Sequence, residues 1–505
     1  MSSAGTGDKP VLVIAGPGAG KTYDMVSKVL QAIPNLRPNR ILAAITYTNA
    51  AAESIRRRLS DKINIPENVF VGTNHSFFYR FIFNPYGHLV GDVPREKTVL
   101  QADEDGMLRG LRGVKRHIAR ASIFKSLSKK GIISFDQIVS ISAQLLTNKR
   151  IREIIGNRVQ YLFIDEFQDF NNQQYLIIDE IRKQKKTSIY AVGDPEQYIF
   201  SFTTRTKDLN NIAINRFREK CQQVEPINNN HRSYAEIVQF TNKFHTELEQ
   251  ASTKGSNENA GVYFILDAEL GRIVRKYREI TEVLKNEGKE LKRYYLSYEN
   301  KTIESHAKEY GLMPIANDLT RPQGILSKAL ELIGMTVRSN KRKICERYGL
   351  DNIQYRRLGI ELLKAINDGE VKEAADLSGY MVDTLGLEIE DRLPVRIEDE
   401  YRKVKNFLYK RESEGSLYVD QYSSIHRVKG LEADAVLVVA ESVNRLKKWL
   451  VTEKEERYRD KRDECRIGFV AFSRAKSILC IACLEKVDKG LEEELLRLGA
   501  RVVKE

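Results

Sequence analysis

No run in this chain approaches the ~18 consecutive apolar residues that a membrane span requires, and the amino-terminal MSSAGTGDKP lacks the charged-then-apolar order of a secretion signal. A cytoplasmic protein with no membrane partner is therefore expected. The cysteines, Cys221, Cys345, Cys465, Cys480 and Cys483, are five, an odd number scattered over a long chain, which argues against a disulfide framework. Cys480 and Cys483 do form a CxxC, but it lies inside the strand-like run SILCIAC. With no second pair or nearby histidine to complete a metal site, they are expected to pack in a core. Internal repeats and low-complexity tracts are also missing, and the clearest flexible link by composition is ASTKGSNENAG, residues 251–261.

At 505 residues the chain is long enough for several domains. Lys and Arg total 82 against 69 Asp and Glu, a net charge of +13. That bias favours polyanionic partners without identifying one. It is most one-sided between Met107 and Lys130, where Arg109, Arg112, Lys115, Arg116, Arg120, Lys125, Lys129 and Lys130 occur without an acid. Such a segment reads either as a solvated helical face or as a subdomain touching a phosphate backbone.

The most informative stretch is VLVIAGPGAGKT, residues 11–22. Val11 to Ile14 suit a buried parallel strand. Gly16, Pro17, Gly18, Ala19 and Gly20 follow as a loop whose backbone N–H groups can converge on phosphates, with Lys21 as a compact positive charge. Thr22 can hold Mg²⁺ at the start of a helix on which Met25, Val26, Val29, Leu30 and Ile33 recur at helical spacing. Strand, glycine loop and helix thus occur in the order a phosphate-binding loop needs.

Further strands are expected at Ile41–Thr46, Val69–Gly72, Tyr161–Asp165, Ser188–Val192, Ala435–Ala440 and Ile478–Cys483. Asp165 ends its strand, where it can hold Mg²⁺ through water while the adjacent Glu166 orients or deprotonates an attacking water. Gln197 follows the next strand and can sense a γ-phosphate. Residues from about 302 to 410 read as packed helices.

Taken together, these stretches resemble the short motifs of the UvrD/Rep-like helicases of superfamily 1. The resemblance covers Gly16–Thr22, ITYTNAAAESIRRRL (45–59), GTNHS (72–76), DEFQD (165–169) with Asn171 and Gln174 behind it, and residues 193–202. It continues through NHRS (230–233), IHRVKGLE (425–432) and FVAFSRAK (469–476). It implies an α/β fold of superfamily 1A architecture, with two RecA-like parallel-sheet cores and helical insertions. The expected division is a first core at 1–92 and 151–220 interrupted by a basic helical insertion at 93–150, and a second core at 221–301 and 411–505 interrupted by a short helical insertion at 302–410.

The same resemblance assigns roles. Lys21, Asp165, Glu166, Gln197, Arg232 and Arg474 are the expected catalytic set, the two arginines reaching the γ-phosphate as fingers, and Thr22 and Asp165 the expected Mg²⁺ ligands. Residues 16–22 with Tyr23, His231 and Glu432 are expected to hold the nucleotide, the two rings flanking the base and Glu432 the ribose. Tyr47, His75, Phe200, Phe202 and His426 are the expected DNA contacts.

The implied activity is an ATP-dependent 3′→5′ helicase or translocase on single-stranded DNA, with duplex ends as further partners. The alternative is an end-sensing nucleotide hydrolase that regulates a separate nuclease subunit, as in compact antiphage-defence members of the family.

Several positions depart from the family pattern. The first glutamine in the chain is Gln31, so the adenine-reading glutamine usual before the glycine loop has no counterpart, and GTP or dNTP join ATP as expected substrates. Phe202 and Thr203 stand where Trp and Arg are usual, and His231 where Tyr is usual. The insertion at 302–410 is short for the family, and only one strand and a short tail follow the last motif, so no fused nuclease is expected.

Overall fold

The computed structural model describes residues 10–90, 93–95, 98–99, 113–129, 131–201, 208–285, 291–315, 322–337, 339, 341–389, 397–409 and 418–504. The chain divides into two compact units. One comprises Met1–Lys285, Arg293–Gly311 and Tyr422–Glu505, and the other Asn286–Lys292 and Leu312–Gln421.

The larger unit holds two parallel sheets. In the first, β1 (Val11–Ala15), β2 (Ile41–Thr46), β3 (Val69–Thr73), β4 (Val159–Ile164), β5 (Ser188–Gly193) and β6 (Gln223–Ile227) lie in the order β3-β2-β4-β5-β1-β6. Every neighbouring pair is parallel. The central strands β2 and β4 are buried throughout, because parallel strands covered on both faces are apolar along their whole length rather than alternating.

Alternate residues serve opposite faces. Val13, Leu42, Ala44, Tyr161, Phe163 and Val192 pack with Met25, Val29, Ile55 and Leu59 of the helices Lys21–Ala32 and Asn49–Ser60. Leu12, Ile14, Ala43, Ile45, Leu162, Ile164 and Ala191 pack on the other face with Phe77, Ile138, Ile177 and Ile178. The edge strand β6 is largely exposed and carries Pro226, a residue a central strand would exclude. The first helix ends at Ala32, and Ile33, expected on its face, opens a 3₁₀ turn where Pro34 removes a donor.

A second sheet includes β7 (Gly261–Ile265), β8 (Leu291–Ser297), β9 (Ala433–Ala440), β10 (Ala475–Cys483) and β11 (Arg501–Val503), adjacent in the order β8-β9-β10-β7-β11 and parallel to one another. Cys480 and Cys483 are buried in β10, and burial raises both thiols, as expected of packing residues. The smaller unit is helical (Pro322–Thr336, Lys341–Tyr348, Asn352–Asn367, Asp376–Asp383 and Ile397–Tyr409), closed over Leu332, Ile333, Leu362, Leu377 and Met381.

One composition-based expectation is overturned. Residues 251–261 are tied down rather than flexible. Ala251–Ser252 pairs with Asn229–Asn230, Ser252 Oγ donates to Ser233 O at 2.7 Å, and Ala235 N donates to Gly255 O at 2.9 Å. The segment is largely exposed, yet its polar side chains also hydrogen-bond the backbone, so polarity here marks both solvent contact and local hydrogen bonding.

Helix Glu464–Phe472 is buried along its entire length. At Gly468 an added Cβ would lie 2.6 Å from the Cβ and 2.9 Å from the Cα of Trp449. Gly468→Ala, which raises helix propensity, is therefore expected to lower stability by about 1–3 kcal/mol through overpacking. Urea denaturation checks it, and an unchanged or raised midpoint would contradict the packing described.

Candidate functional site

Because the strands of the first sheet are parallel, their carboxyl ends open on the same edge, where ligands of open α/β sheets bind. The expected site residues leave these ends. The glycine loop follows β1, Tyr47 follows β2, His75 follows β3, Asp165 and Glu166 follow β4, and Gln197 follows β5. Asp165 lies one residue past its strand, its N–H donating to Ile45 O of β2 at 2.9 Å.

The loop adopts backbone conformations that glycine tolerates. Gly18 and Gly20 have φ of 70° and 78°, and Gly20 N-caps helix Lys21–Ala32. A Cβ on Gly18 would also lie 2.6 Å from both Arg232 Cβ and Asn230 Oδ1. The loop is braced from outside, since Asn230 Nδ2 donates to Pro17 O at 2.9 Å and His231 N to Gly18 O at 2.8 Å. Inside it, the buried Lys21 Nζ has no hydrogen-bond acceptor among the described residues, and its nearest carboxylate oxygen is Glu166 Oε1 at 3.8 Å. A buried ammonium without acceptors, at a helix N-terminus with open N–H groups, fits a phosphate chain.

The carboxylates beside it are strongly differentiated. Burial, reinforced by Glu166, pushes Asp165 up, and a divalent cation against it would hold it ionised. Burial also raises Glu166, but Lys21 and Lys429 outweigh that and hold it below the ordinary glutamate range. Glu166 is held in a left-handed backbone conformation, φ 52°, uncommon for a non-glycine residue and typical of functional positions.

From Glu166 a relay of side chains crosses the site. Gln168 Nε2 donates to Glu166 Oε2 at 2.5 Å, and Asp194 N to Gln168 Oε1 at 3.0 Å. Gln197 Nε2 donates to Asp194 Oδ2 at 2.7 Å, and Arg474 Nη2 approaches Gln197 Oε1 at 3.4 Å. Burial raises Asp194, but the contact with His245 Nε2 at 3.0 Å and the charge of Lys21 outweigh it and hold the carboxyl down to about 2. The His245 Nδ1 accepts the N–H groups of Glu247 and Leu248, so its proton sits on Nε2 facing Asp194.

The arginines converge. Arg474 is buried, and burial together with Arg232 pulls its guanidinium down to about 9. It is fixed by Val470 O at 2.9 Å and Ser473 Oγ at 2.8 Å. Arg232 donates from Nε to Glu432 Oε2 at 2.8 Å and from Nη1 to Ser473 O at 3.0 Å. Lys476 Nζ lies 3.2 Å from the other Glu432 oxygen. Tyr23 is 62 % exposed, and His231, also exposed, hydrogen-bonds Thr253 Oγ1 through Nδ1 at 3.1 Å. The His231 ring is 3.5 Å from where a Cβ on Gly20 would stand.

Of the expected DNA contacts, Tyr47 and Phe200 are brought together as a stacked pair, with centroids 5.7 Å apart and planes 25° apart. His75 meets the half-exposed Phe135 edge-on at 5.8 Å, and His426 meets Tyr298 edge-on at 5.5 Å with Arg445 over the Tyr298 ring. Phe202 lies outside the described residues, as do Arg109, Arg112 and Lys130 of the basic segment, whose Lys115 and Lys125 are exposed on the helix Gly113–Lys129.

Sequence reasoning passed over Gln168, Asp169, Asp194, His245, Asn230 and Lys429. Gln168 and Asp169 lie inside DEFQD, Asp194 inside 193–202, Asn230 inside NHRS and Lys429 inside IHRVKGLE, so their motifs were visible though their roles were not, whereas His245 carried no sequence signal. Asn171 and Gln174 turn out to form a capping box on helix Asn172–Lys183.

Comparison with known proteins bears on the same residues. The UvrD/REP helicase N-terminal domain family matches residues 2–120 and 117–222. The ATP-dependent DNA helicase Rep of Buchnera aphidicola subsp. Acyrthosiphon pisum is 28% identical over 278 residues, 46% of this chain and 42% of that protein. The ATP-dependent DNA helicase PcrA of Bacillus subtilis is 23% identical over 283 residues, 47% of this chain and 38% of PcrA. The chain thus spans less than half the length of these helicases. The Gabija protein GajB of Bacillus cereus is 24% identical over 460 residues, 86% of this chain and 87% of GajB. Residues 2–222 thus match the UvrD/REP helicase N-terminal domain family, and the chain as a whole is similar to UvrD/Rep-like proteins.

Proposed function

We propose that this protein is an ATP hydrolase that moves 3′→5′ along single-stranded DNA and separates duplex from its ends. The observation that carries the reading is the unpartnered Lys21 ammonium facing Glu166, with Gln197 and Arg474 joined to that glutamate through Gln168 and Asp194. Lys21 and the loop N–H groups bind and orient the triphosphate. Thr22 and Asp165 are the side chains that would hold Mg²⁺, which neutralises phosphate charge when bound. Glu166, kept anionic by Lys21 and Lys429, orients water and takes its proton. Arg232 and Arg474 offset the negative charge that spreads over the transferring phosphoryl oxygens. The stacked pair Tyr47 and Phe200 suits a track that holds bases by their faces irrespective of sequence. Polarity and the DNA contacts of His75, Phe202 and His426 rest on the family resemblance.

A second reading is favoured by the similarity to the Gabija protein GajB over most of both chains. In it the same site is an end-sensing hydrolase that regulates a separate nuclease subunit in antiviral defence and unwinds little. Strand displacement measured beside nucleotide turnover on one preparation separates the two readings.

Lys21→Ala is expected to abolish nucleotide binding, and Glu166→Gln to keep nucleotide bound while stopping hydrolysis. Binding and turnover measured on single-stranded DNA check both. A Glu166→Gln protein that hydrolyses ATP at the parent rate would remove Glu166 from the mechanism.

Arg232→Ala and Arg474→Ala are each expected to cut kcat by roughly 10³-fold or more with a much smaller change in nucleotide affinity, as for groups acting mainly in the transition state. Equal losses in affinity and turnover would make them ground-state contacts.

Stacking between Tyr23 and His231 grips any purine face and has no means of rejecting a wrong base edge. GTP and dATP are therefore expected to support DNA-stimulated hydrolysis within about tenfold of ATP in kcat/KM, a gap of ~1.4 kcal/mol. A preference for ATP over GTP beyond about a thousandfold would show that another residue reads adenine.

A further inference from the structure

Lys429 follows the 3₁₀ turn Ile425–Val428, and its side chain is only 9% exposed. An ammonium has three N–H donors and no other means of satisfying them once buried. Here they go to two partners, the Asp169 carboxylate and the Gln197 carbonyl. Nζ contacts Asp169 Oδ1 at 2.7 Å and Oδ2 at 2.5 Å, and the backbone carbonyl of Gln197 at 2.7 Å. It also lies 5.1 Å from the ring centroid of Phe200, within cation–π range.

The three contacted residues do different work. Asp169 closes the 3₁₀ turn that begins just after Glu166, its N–H donating to Glu166 O at 3.0 Å. Gln197 joins Asp194 and Arg474. Phe200 stacks on Tyr47, whose phenol is raised to about 12 by burial together with the nearby Asp169 carboxylate. One cation therefore touches the hydrolytic turn, the γ-phosphate-sensing segment and the aromatic pair.

A ligand can shift such an arrangement only by interacting differently with its alternative states. A base stacked on Phe200 meets that condition, because it alters the ring to which the Lys429 charge is attracted and leaves the Asp169 and Gln197 contacts to readjust.

We propose that Lys429 is the positioning residue that transmits single-strand occupancy of the Tyr47–Phe200 pair to Glu166 and Gln197. The proposal rests on the reading of the chain as a DNA-stimulated ATP hydrolase and adds to it the group through which stimulation passes. Its rival is a purely structural ion pair with Asp169.

The test uses the full chain and oligo(dT). Removing Lys429 alone would strand a buried carboxylate and destabilise the fold, so the informative variant is the double one, Lys429→Met with Asp169→Asn, studied beside Lys429→Arg. For each, kcat and KM for ATP are measured without DNA and at saturating oligo(dT), and the oligo(dT) Kd by fluorescence anisotropy. The expected result is a loss of at least tenfold in the ratio of stimulated to unstimulated kcat for the double variant. KM and the oligo(dT) Kd are expected to stay within threefold, and Lys429→Arg to recover most of the ratio. A double variant whose kcat falls equally with and without DNA, leaving the ratio at the parent value, would overturn the proposal and leave Lys429 structural. A parent protein that oligo(dT) binds but does not stimulate would overturn the functional reading as well, an outcome visible before any variant is made.

Discussion

The bonds from Asn230 and His231 to the carbonyls of Pro17 and Gly18 constrain the glycine loop on which the proposed site depends. A glycine-rich loop gains its use from backbone freedom, and that freedom costs entropy unless something outside fixes it. Here the fixing residues flank a proposed finger. Asn230 also accepts the N–H of Arg232 at 2.9 Å and of Ser233 at 3.0 Å, so its single side chain serves the loop and the arginine together. Gln250 closes the arrangement, its amide standing where a Cβ on Gly16 would need to be. Loop and Arg232 are therefore held by the same side chain.

Much of the fold was legible because parallel α/β sheets write themselves plainly. Continuous apolar runs such as ILAAIT and YLFI leave few alternatives to a strand buried on both faces, and the shared direction of those strands collects Lys21, Tyr47, His75, Asp165 and Gln197 at one edge. What was not legible depends on contacts between distant residues. Lys429 reaches Asp169 and Gln197 across more than two hundred positions, and no periodicity reports such a pair. The Gln168–Asp194 bridge is hidden for another reason, since it joins two short turns whose local composition looks like ordinary capping chemistry. The loop at 251–261 misled because polar residues that face solvent can at the same time hold the backbone by hydrogen bonds, which composition does not report.

The segment between Gln197 and Ser201 is enclosed by buried ions. Arg457 is wholly buried and donates to Glu196 Oε2 at 2.7 Å, and Arg466 donates to the Tyr198 carbonyl at 3.0 Å and to Asp463. Asp463 in turn accepts the Ser201 N–H at 2.9 Å. Desolvating so many charges costs about as much as their pairing returns, so such a cluster is weak evidence for stability. Its geometric effect is clearer: carbonyls and N–H groups of one short segment are matched to donors and acceptors at fixed positions, leaving that backbone one well-satisfied path.

The left-handed backbone of Glu166 sets stability against chemistry at one residue. An L-residue there carries a conformational penalty that glycine would not, of the order of 1 kcal/mol. Selection for heat resistance alone would thus favour replacing a carboxylate that the proposed reaction cannot spare. Thermally hardened descendants of this chain would have to find their stability elsewhere, in the helices and sheet edges far from the nucleotide.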